Sequence, residues 1–167
     1  MLAVLSLIFA APARADLTRT DVQIAARALS FVSNPLTGPV RVGIVYSEKS
    51  PRSVREANNL RDILSGGLKI GALELSPVMV ELKDVGGADV DLFFLTEFME
   101  PNALPRPTAD GPTPRVCVTT DIEQVRNGSC AIGVRSRPKV EVFVSRSAAE
   151  ASNIKFSTVF RVMITEI

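Results

Sequence analysis

Cys117 and Cys130 are the two cysteines of the chain, and their type and spacing point to one reaction, the formation of a disulfide. They stand at the ends of two short β-rich runs that one predicted helix connects. An even number of cysteines in an exported chain favours a bridge, whereas two buried free thiols are the alternative. We predict the bridge, and closing a loop of this length contributes about 3 kcal/mol in the chain-entropy model.

Ser50, Arg52 and Ser53 could bind an anion. They lie where the first predicted strand gives way to a helix, and free backbone N–H groups, a cation and two hydroxyls suit a small anionic ligand. Open α/β sheets also bind ligands beyond the carboxyl ends of their strands. The alternative is helix capping, in which Ser53 and Glu56 form a capping box and Arg52 lies in solvent. Capping needs no ligand to explain these residues.

Acidic side chains follow two later predicted strands, Glu97 and Glu100 after one and Asp121 and Glu123 after the next. Such pairs can do acid–base chemistry, but no nucleophile motif accompanies them, and charges at helix starts explain them equally well. The chain contains no histidine, which removes histidine-based triads and most zinc sites. We therefore expect no catalytic residue, no metal, no cofactor and no enzymatic activity.

Length and charge narrow the class of protein further. A chain of 167 residues, 46% of them hydrophobic, is long enough to fold as one domain with a sizeable core. The formal net charge is +1, and the chain has no tryptophan and one tyrosine. Nucleic-acid binding needs a basic surface and benefits from stacking aromatic rings. We therefore expect no nucleic-acid partner.

The amino terminus resembles an export signal. Residues 2–11 form an apolar run, and Ala13, Arg14 and Ala15 follow as a small-residue cleavage pattern. A run of about ten residues is too short to span a bilayer, although a buried first helix is an alternative. We predict a signal peptide over residues 1–15, a periplasmic location and a single mature domain over residues 16–167.

The front half alternates between helix and strand periodicity. A capping box of Thr20 and Gln23 predicts a helix whose apolar face consists of Val22, Ala25, Ala26 and Leu29, and which ends at Asn34 and Pro35. Strands are predicted over residues 40–47, 77–82 and 91–96, and the last is the most uniformly apolar of them, which favours a central position. Residues 101–114 contain five prolines and are predicted to form a protease-sensitive surface loop.

The back half predicts a strand over residues 115–119, a helix opened by Thr120 and Glu123, and a hairpin turning at residues 136–138. A second short helix is opened by Ser147 and Glu150. A closing helix would seal one face of the sheet with an apolar stripe: Phe156, Val159, Phe160 and Met163. The whole pattern predicts a three-layer, Rossmann-like α/β fold. Its mixed sheet is mainly parallel with helices on both faces, and a C-terminal β-hairpin plus helix forms an antiparallel edge.

The order of elements after residue 115 is a cysteine-containing strand, a short acidic helix, a glycine before the next strand, a hairpin, an alanine-rich turn and a final apolar segment. The residues that mark this order are Asp121, Gly128, residues 139–145, Ala148, Ala149 and residues 154–157. This order resembles the YfiR/HmsC-like family of small periplasmic proteins. The resemblance covers roughly the final third of the chain, and the front half matches only in its order of elements.

The resemblance implies a regulatory binding protein. Proteins of this kind repress a membrane-bound diguanylate cyclase by binding its sensor domain, which lowers cyclic-di-GMP signalling, and an outer-membrane lipoprotein is a further implied partner. A homodimer is also expected. The alternative is a single-lobe solute-binding protein related to ABC transporter receptors, because residues 41–46 followed by Ser50 to Ser53 resemble the first strand and helix of such receptors. Most solute receptors use two lobes, and this chain has the length of one.

Overall fold

The computed structural model describes residues 17–99 and 116–167. Within them the strands are β1 (Gly38–Tyr46), β2 (Leu68–Ile70), β3 (Leu73–Glu81), β4 (Leu92–Leu95), β5 (Val116–Thr119), β6 (Ile132–Arg135), β7 (Glu141–Val144) and β8 (Thr165–Glu166). The α-helices of the same residues are α1 (Arg19–Leu29), α2 (Pro51–Leu64), α3 (Ile122–Arg126), α4 (Arg146–Ala151) and α5 (Thr158–Arg161), and a 3-10 helix covers Leu82–Gly87.

The strands form one sheet in the order β2-β3-β1-β4-β5-β6-β7-β8. The central pairs, from β3 through β1, β4 and β5 to β6, are parallel. The pairs β2–β3 and β6–β7 are antiparallel, and β8 pairs parallel with β7. The predicted α/β class with a mainly parallel mixed sheet is therefore confirmed. The apolar strand β4 lies between β1 and β5, which agrees with its predicted central position.

One face of the sheet packs against α1 and α2. Ala25 and Leu29 of α1 and Leu60 of α2 join Val42 and Ile44 of β1 in a single buried cluster. The apolar stripe that predicted α1 is confirmed, because a helix that covers a sheet buries residues spaced three and four apart. Val45 points to the opposite face, where it packs with the 3-10 helix, so β1 is buried on both sides.

The predicted helix starts are wrong by one to three residues. In α1 the capping box is Thr18 with Asp21, not Thr20 with Gln23, and the helix ends at Ser30 rather than at Asn34 and Pro35. The caps of α2, α3 and α4 are Ser50, Asp121 and Ser145, not Ser53, Thr120 and Ser147. Several Ser, Thr and Asp residues compete near each start, and tertiary contacts choose among them. Asp21, for example, also accepts a hydrogen bond from the N–H of Ser136 in the distant hairpin turn, at 3.0 Å.

The predicted closing helix is shorter than expected, and its apolar stripe is wrong. The helix α5 has one turn, and of the expected stripe Phe160 is buried whereas Val159 and Met163 are exposed. Phe160 stacks on Phe31 after α1, with ring centroids 4.7 Å apart, and Phe156 forms a β-bridge with Val32. The chain then adds β8 beside β7, so β8 forms the edge of the sheet that the hairpin was expected to form.

Helix α3 lies unusually close to β6, at Gly133. A Cβ atom at this position would come within 2.6 Å of the Cγ2 atom of Val125 and 3.1 Å of the Cδ1 atom of Ile122. Glycine is therefore required here by packing, because real Cβ contacts are longer and a buried valine is stiff.

Replacing Gly133 by alanine should lower the free energy of unfolding by about 1–3 kcal/mol, the usual cost of inserting a methyl group into a packed core. Urea denaturation of the variant and of the wild type measures this difference. Gly86→Ala is the matched control, because a Cβ there meets nothing within 4 Å. An unchanged midpoint for Gly133→Ala would show that α3 can move away from the sheet at little cost.

Two predicted segments lie outside the described residues, namely the signal peptide at 1–15 and the proline-rich loop at 101–114. Their predictions stand as made. Across residues 17–99 and 116–167, no helix combines the length and the apolar character that crossing a membrane requires.

Candidate functional site

The carboxyl ends of β1, β4 and β5 meet at one edge of the sheet, and this edge is the candidate site. The chain leaves β1 into α2, which covers one face, and it reaches β4 through the 3-10 helix, which covers the other face. Adjacent strands whose connections run on opposite faces leave a crevice between them, which is where open α/β sheets bind ligands. The three residues predicted to bind an anion, Ser50, Arg52 and Ser53, lie at the start of α2 beside this crevice.

The structure places the hydroxyls of Ser50 and Ser53 inside the protein's own hydrogen-bond network. Ser50 caps α2, and its Oγ accepts from the N–H of Ser53 at 3.3 Å. Ser53 is fully buried; its Oγ accepts from the N–H of Ser47 at 3.0 Å and lies 2.7 Å from Oγ1 of Thr96. Arg52 is exposed, with its guanidinium 5.1 Å from the ring centroid of Phe98. Anion binding by these residues stays a prediction, with Arg52 as the member that reaches the surface.

Thr96 links β1 to β4 at the bottom of the crevice. It is fully buried, and its Oγ1 donates to the carbonyl oxygen of Val45 at 2.9 Å. Because that bond uses the threonine proton, the hydroxyl of Ser53 donates to Thr96. The hydroxyls of Ser53 and Thr96 therefore both have hydrogen-bond partners. A buried polar group without a partner would lower the stability of the fold.

Gln124 of α3 continues the network to β5. Its Nε2 donates to the carbonyl oxygen of Thr96 at 2.9 Å, and its Oε1 accepts from Oγ1 of Thr119 at 2.8 Å. The Oγ1 of Thr119 in turn accepts from the N–H of Asp121 at 3.0 Å. Side chains from α2, β4, β5 and α3 are thus tied together below the crevice. Sequence reasoning missed Thr96 and Gln124, because neither belongs to a recognisable motif.

Glu56 of α2 is the most perturbed group at this edge. Its Oε2 accepts from the N–H of Glu97 at 2.7 Å, and its Oε1 accepts from Oγ1 of Thr120 at 3.3 Å. Burial, together with the neighbouring charges of Glu97 and Asp121, raises the pKa of the Glu56 carboxyl to about 8, although the two hydrogen bonds lower it. At neutral pH, Glu56 is therefore mainly protonated.

The sequence predicts that Glu56 forms a capping box with Ser53, and the structure corrects this prediction. Ser50 caps the helix, so Glu56 lies in its second turn and reaches across to the loops after β4 and β5. One sequence signal could have indicated this. Glu56 directly precedes Ala57 in the buried stripe formed by Ser53, Ala57, Leu60 and Leu64, so it borders the face that packs on the sheet.

The two acidic pairs that follow the predicted strands do not stay together as pairs in the structure. Glu97 is buried near Glu56, and Asp121 caps α3, whereas Glu123 is exposed and pairs with Arg126 at 2.7 Å. Glu100 lies outside the described residues. Glu97, Glu56 and Asp121 therefore come together at the edge of the sheet. The arrangement holds a proton on Glu56, and the described residues around it are hydrogen-bonded to one another.

The predicted disulfide is confirmed. Cys117 of β5 and Cys130, which precedes β6, are joined by an S–S bond of 1.98 Å. Cys130 is fully buried and Cys117 nearly so, and both pack with Val45 and Leu95 on the face of the sheet opposite α2. The bridge thus closes the loop that contains α3, the helix that supplies Gln124 and Asp121 to the site.

Within the described ranges, no cluster of three or more acidic, cysteine or histidine side chains is arranged to bind a metal ion. Comparison of the chain with protein-family models and with curated proteins gave no match. The resemblance of the last third to the YfiR/HmsC-like proteins therefore stays a prediction, and function must be argued from the geometry.

Proposed function

We propose that the chain is a regulatory binding protein of the periplasm that represses a membrane-bound diguanylate cyclase by binding its sensor domain. A buried disulfide supports an oxidising compartment, because such bonds persist there and are rare in the cytosol. Binding rather than catalysis is supported by the polar side chains below the crevice, which hydrogen-bond to one another. The choice of partner rests on the resemblance of residues 115–167.

The observation that carries the proposal is the distribution of exposed apolar side chains. Large hydrophobic residues with high exposure among the described residues all fall between residues 140 and 167: Val140, Val159, Val162, Met163 and Ile167. Four of the five lie in or beside α5 and β8, at one edge of the sheet. Single exposed apolar residues are normal, but a patch of them marks an interaction surface. A protein that works by contact with another protein needs such a surface.

The test is binding between the purified chain and the periplasmic sensor domain of a diguanylate cyclase encoded by a neighbouring gene. We expect a dissociation constant in the micromolar range or tighter by calorimetry, and a lower cellular cyclic-di-GMP level when the chain is expressed with the cyclase. The sensor domain of an unrelated cyclase serves as the control. If no sensor domain encoded nearby binds, the proposal is wrong.

Periplasmic location carries its own prediction, since the proposal requires export. The mature protein should begin at Asp16, after removal of residues 1–15. Intact-mass measurement of protein recovered from the periplasm checks this directly. A mass that still includes residues 1–15 would contradict cleavage and with it the proposed route to the partner.

The solute-receptor alternative is not proposed. Its predicted ligand-binding hydroxyls, those of Ser50 and Ser53, make hydrogen bonds within the protein, and Ser53 is fully buried. A bound anion would have to displace these bonds or rely on Arg52. A thermal-shift screen with small anions addresses it, because micromolar stabilisation that is lost in Arg52→Ala would favour a receptor.

A further inference from the structure

The edge of the sheet formed by β8 carries an unusual apolar surface, here called the C-terminal edge surface and defined by Val140, Val159, Val162, Met163 and Ile167. Val162 is 83% exposed and Val159 is 70% exposed, although both lie in or next to a helical turn. A surface helix normally presents polar residues to water. In α5 the buried position is taken by Phe160, so the valines face outward.

The pairing of β8 with β7 brings these residues to one edge. Phe143 pairs with Thr165 and Val144 with Glu166, and the N–H of Ile167 donates to the carbonyl oxygen of Val144 at 2.9 Å. Val159, Val162 and Met163 lie in α5 or between it and β8, and Ile167 directly follows β8. Val140 directly precedes β7, the strand that pairs with β8.

Positive charge surrounds the C-terminal edge surface. Glu166 pairs with both Arg146, at 2.9 Å, and Arg161, at 3.2 Å. Glu141 likewise pairs with both Arg135 and Lys139. Each carboxylate is shared by two cations, so each group keeps an excess positive charge. Residues 132–167 as a whole carry six lysine or arginine side chains against three glutamates, whereas the net charge of the complete chain is +1.

We propose that the C-terminal edge surface binds a protein segment that is apolar at its centre and acidic at its rim. An apolar patch with a charged rim has the composition of a protein–protein interface, and the complementary partner must supply the opposite charge. A protein is favoured over an anionic membrane because α5 is a single turn and the exposed residues are valine, methionine and isoleucine. Interfacial membrane helices are longer and use aromatic residues and leucine.

This inference deepens the proposed function, and it rests on that function only for the identity of the partner. Its own test uses peptides selected by phage display against the immobilised chain. We expect the selected peptides to combine apolar residues with Asp or Glu. The double variant Val159→Ser/Val162→Ser should weaken their binding at least tenfold, since centrally placed side chains dominate an interface. Arg161→Glu should weaken it by a similar factor.

Arg61→Glu is the matched control, because Arg61 is also an exposed cation and lies on α2, which packs on β1 and β3, strands far from β8 in the sheet order. It should change the affinity less than twofold. Val140→Ser tests the same surface from β7 and does not depend on the folding of α5. Circular dichroism and thermal melting of each variant confirm that the fold is kept. Selected peptides that bind the double variant and Val140→Ser as tightly as the wild type would overturn the proposal.

Two further experiments test whether a second copy of the chain or a membrane occupies this surface instead. A dimer in sedimentation velocity that the double variant disperses would assign the surface to a second copy and overturn the proposal. Flotation of the wild-type protein with phosphatidylglycerol vesicles, if the double variant no longer floats, would assign the surface to a membrane and would also overturn the proposal. If a sensor domain binds and the double variant does not weaken it, this surface is wrong and the proposed function stands. If no sensor domain binds but the peptides behave as expected, the surface stands and the proposed function is wrong.

Discussion

Removing the disulfide should lower the free energy of unfolding by about 2–4 kcal/mol, the range typical of native bridges that close short loops. The bridge between Cys117 and Cys130 closes the loop that contains α3, and its loss frees that loop in the unfolded chain. The domain should still fold, because a core of this size supplies several kcal/mol without the bridge. Urea denaturation of Cys117→Ser/Cys130→Ser and of the wild type, with and without reductant, measures the difference.

The double variant Cys117→Ala/Cys130→Ala is the control for this experiment. Both positions are buried, so serine adds the cost of burying two hydroxyls, and alanine separates that cost from the loss of the bridge. The stability of either variant should not respond to reductant. Free thiols in the untreated wild-type protein would refute the bridge and this prediction together.

The burial of the sulfurs also determines how readily a reductant opens the bridge. A thiolate must approach a sulfur atom directly, and Cys130 has no exposed surface. We therefore expect native protein to be reduced slowly and at a rate that rises steeply with sub-denaturing urea, because opening must come first. Rapid reduction in the absence of urea would support a redox switch instead.

Glu56→Gln should stabilise the protein at pH 8 by about 2–4 kcal/mol relative to wild type, and the two should be nearly equal at pH 5. The pKa of Glu56 is about 8 in the folded protein, above its ordinary value of 4.5. Its contribution to stability is therefore fully present below pH 4.5 and is lost as the pH rises through 8. One unit of pKa difference corresponds to about 1.4 kcal/mol, and the partial exposure of Glu56 reduces the total.

Glutamine reproduces the protonated carboxyl in this site. Its amide oxygen can accept from the N–H of Glu97, and its amide nitrogen can donate to Oγ1 of Thr120, which reverses the direction of the bond that Thr120 donates to Glu56. Because glutamine does not ionise, the variant keeps these bonds at every pH. Urea denaturation of both proteins from pH 5 to pH 9 gives the two stability profiles.

Glu123→Gln is the matched control, since Glu123 is an exposed carboxylate whose partner is Arg126 on the same helix. An exposed pair of this kind contributes little, so its profile should stay within about 0.5 kcal/mol of wild type at every pH. Parallel profiles for wild type and Glu56→Gln would mean that Glu56 is ionised in the folded protein at neutral pH and would refute the prediction.

Local sequence patterns predicted the architecture well because their physical causes are local. Residues 92–95 are uniformly apolar because β4 is covered on both faces, and the alternation in residues 132–135 reflects the pleat of β6. The disulfide followed from cysteine chemistry, an even count and short spacing. The apolar stripe of α1 predicted its buried face correctly because this helix covers a broad sheet.

The carboxyl-edge network depends on contacts between residues far apart in the chain. Glu56 has the spacing of a capping residue relative to Ser53, and only the packing of α2 against the ends of β4 and β5 turns its carboxyl toward Glu97 and Thr120. The same packing removes water from the carboxyl and so raises its pKa. Neither effect has a signature in the order of residues around position 56.

In the last residues, too, the sequence determines the spacing of the apolar side chains, whereas tertiary contacts determine which of them are buried. Phe156, Val159, Phe160 and Met163 have helical spacing, and spacing is a property of the sequence. Which of them is buried depends on Phe31, whose ring stacks on Phe160, and on β7, whose free edge pairs with Thr165 and Glu166. Backbone groups left unpaired at a sheet edge gain hydrogen bonds from an added strand, and a one-turn helix has few to lose. The chain therefore ends as an edge strand and leaves Val159 and Met163 exposed to solvent.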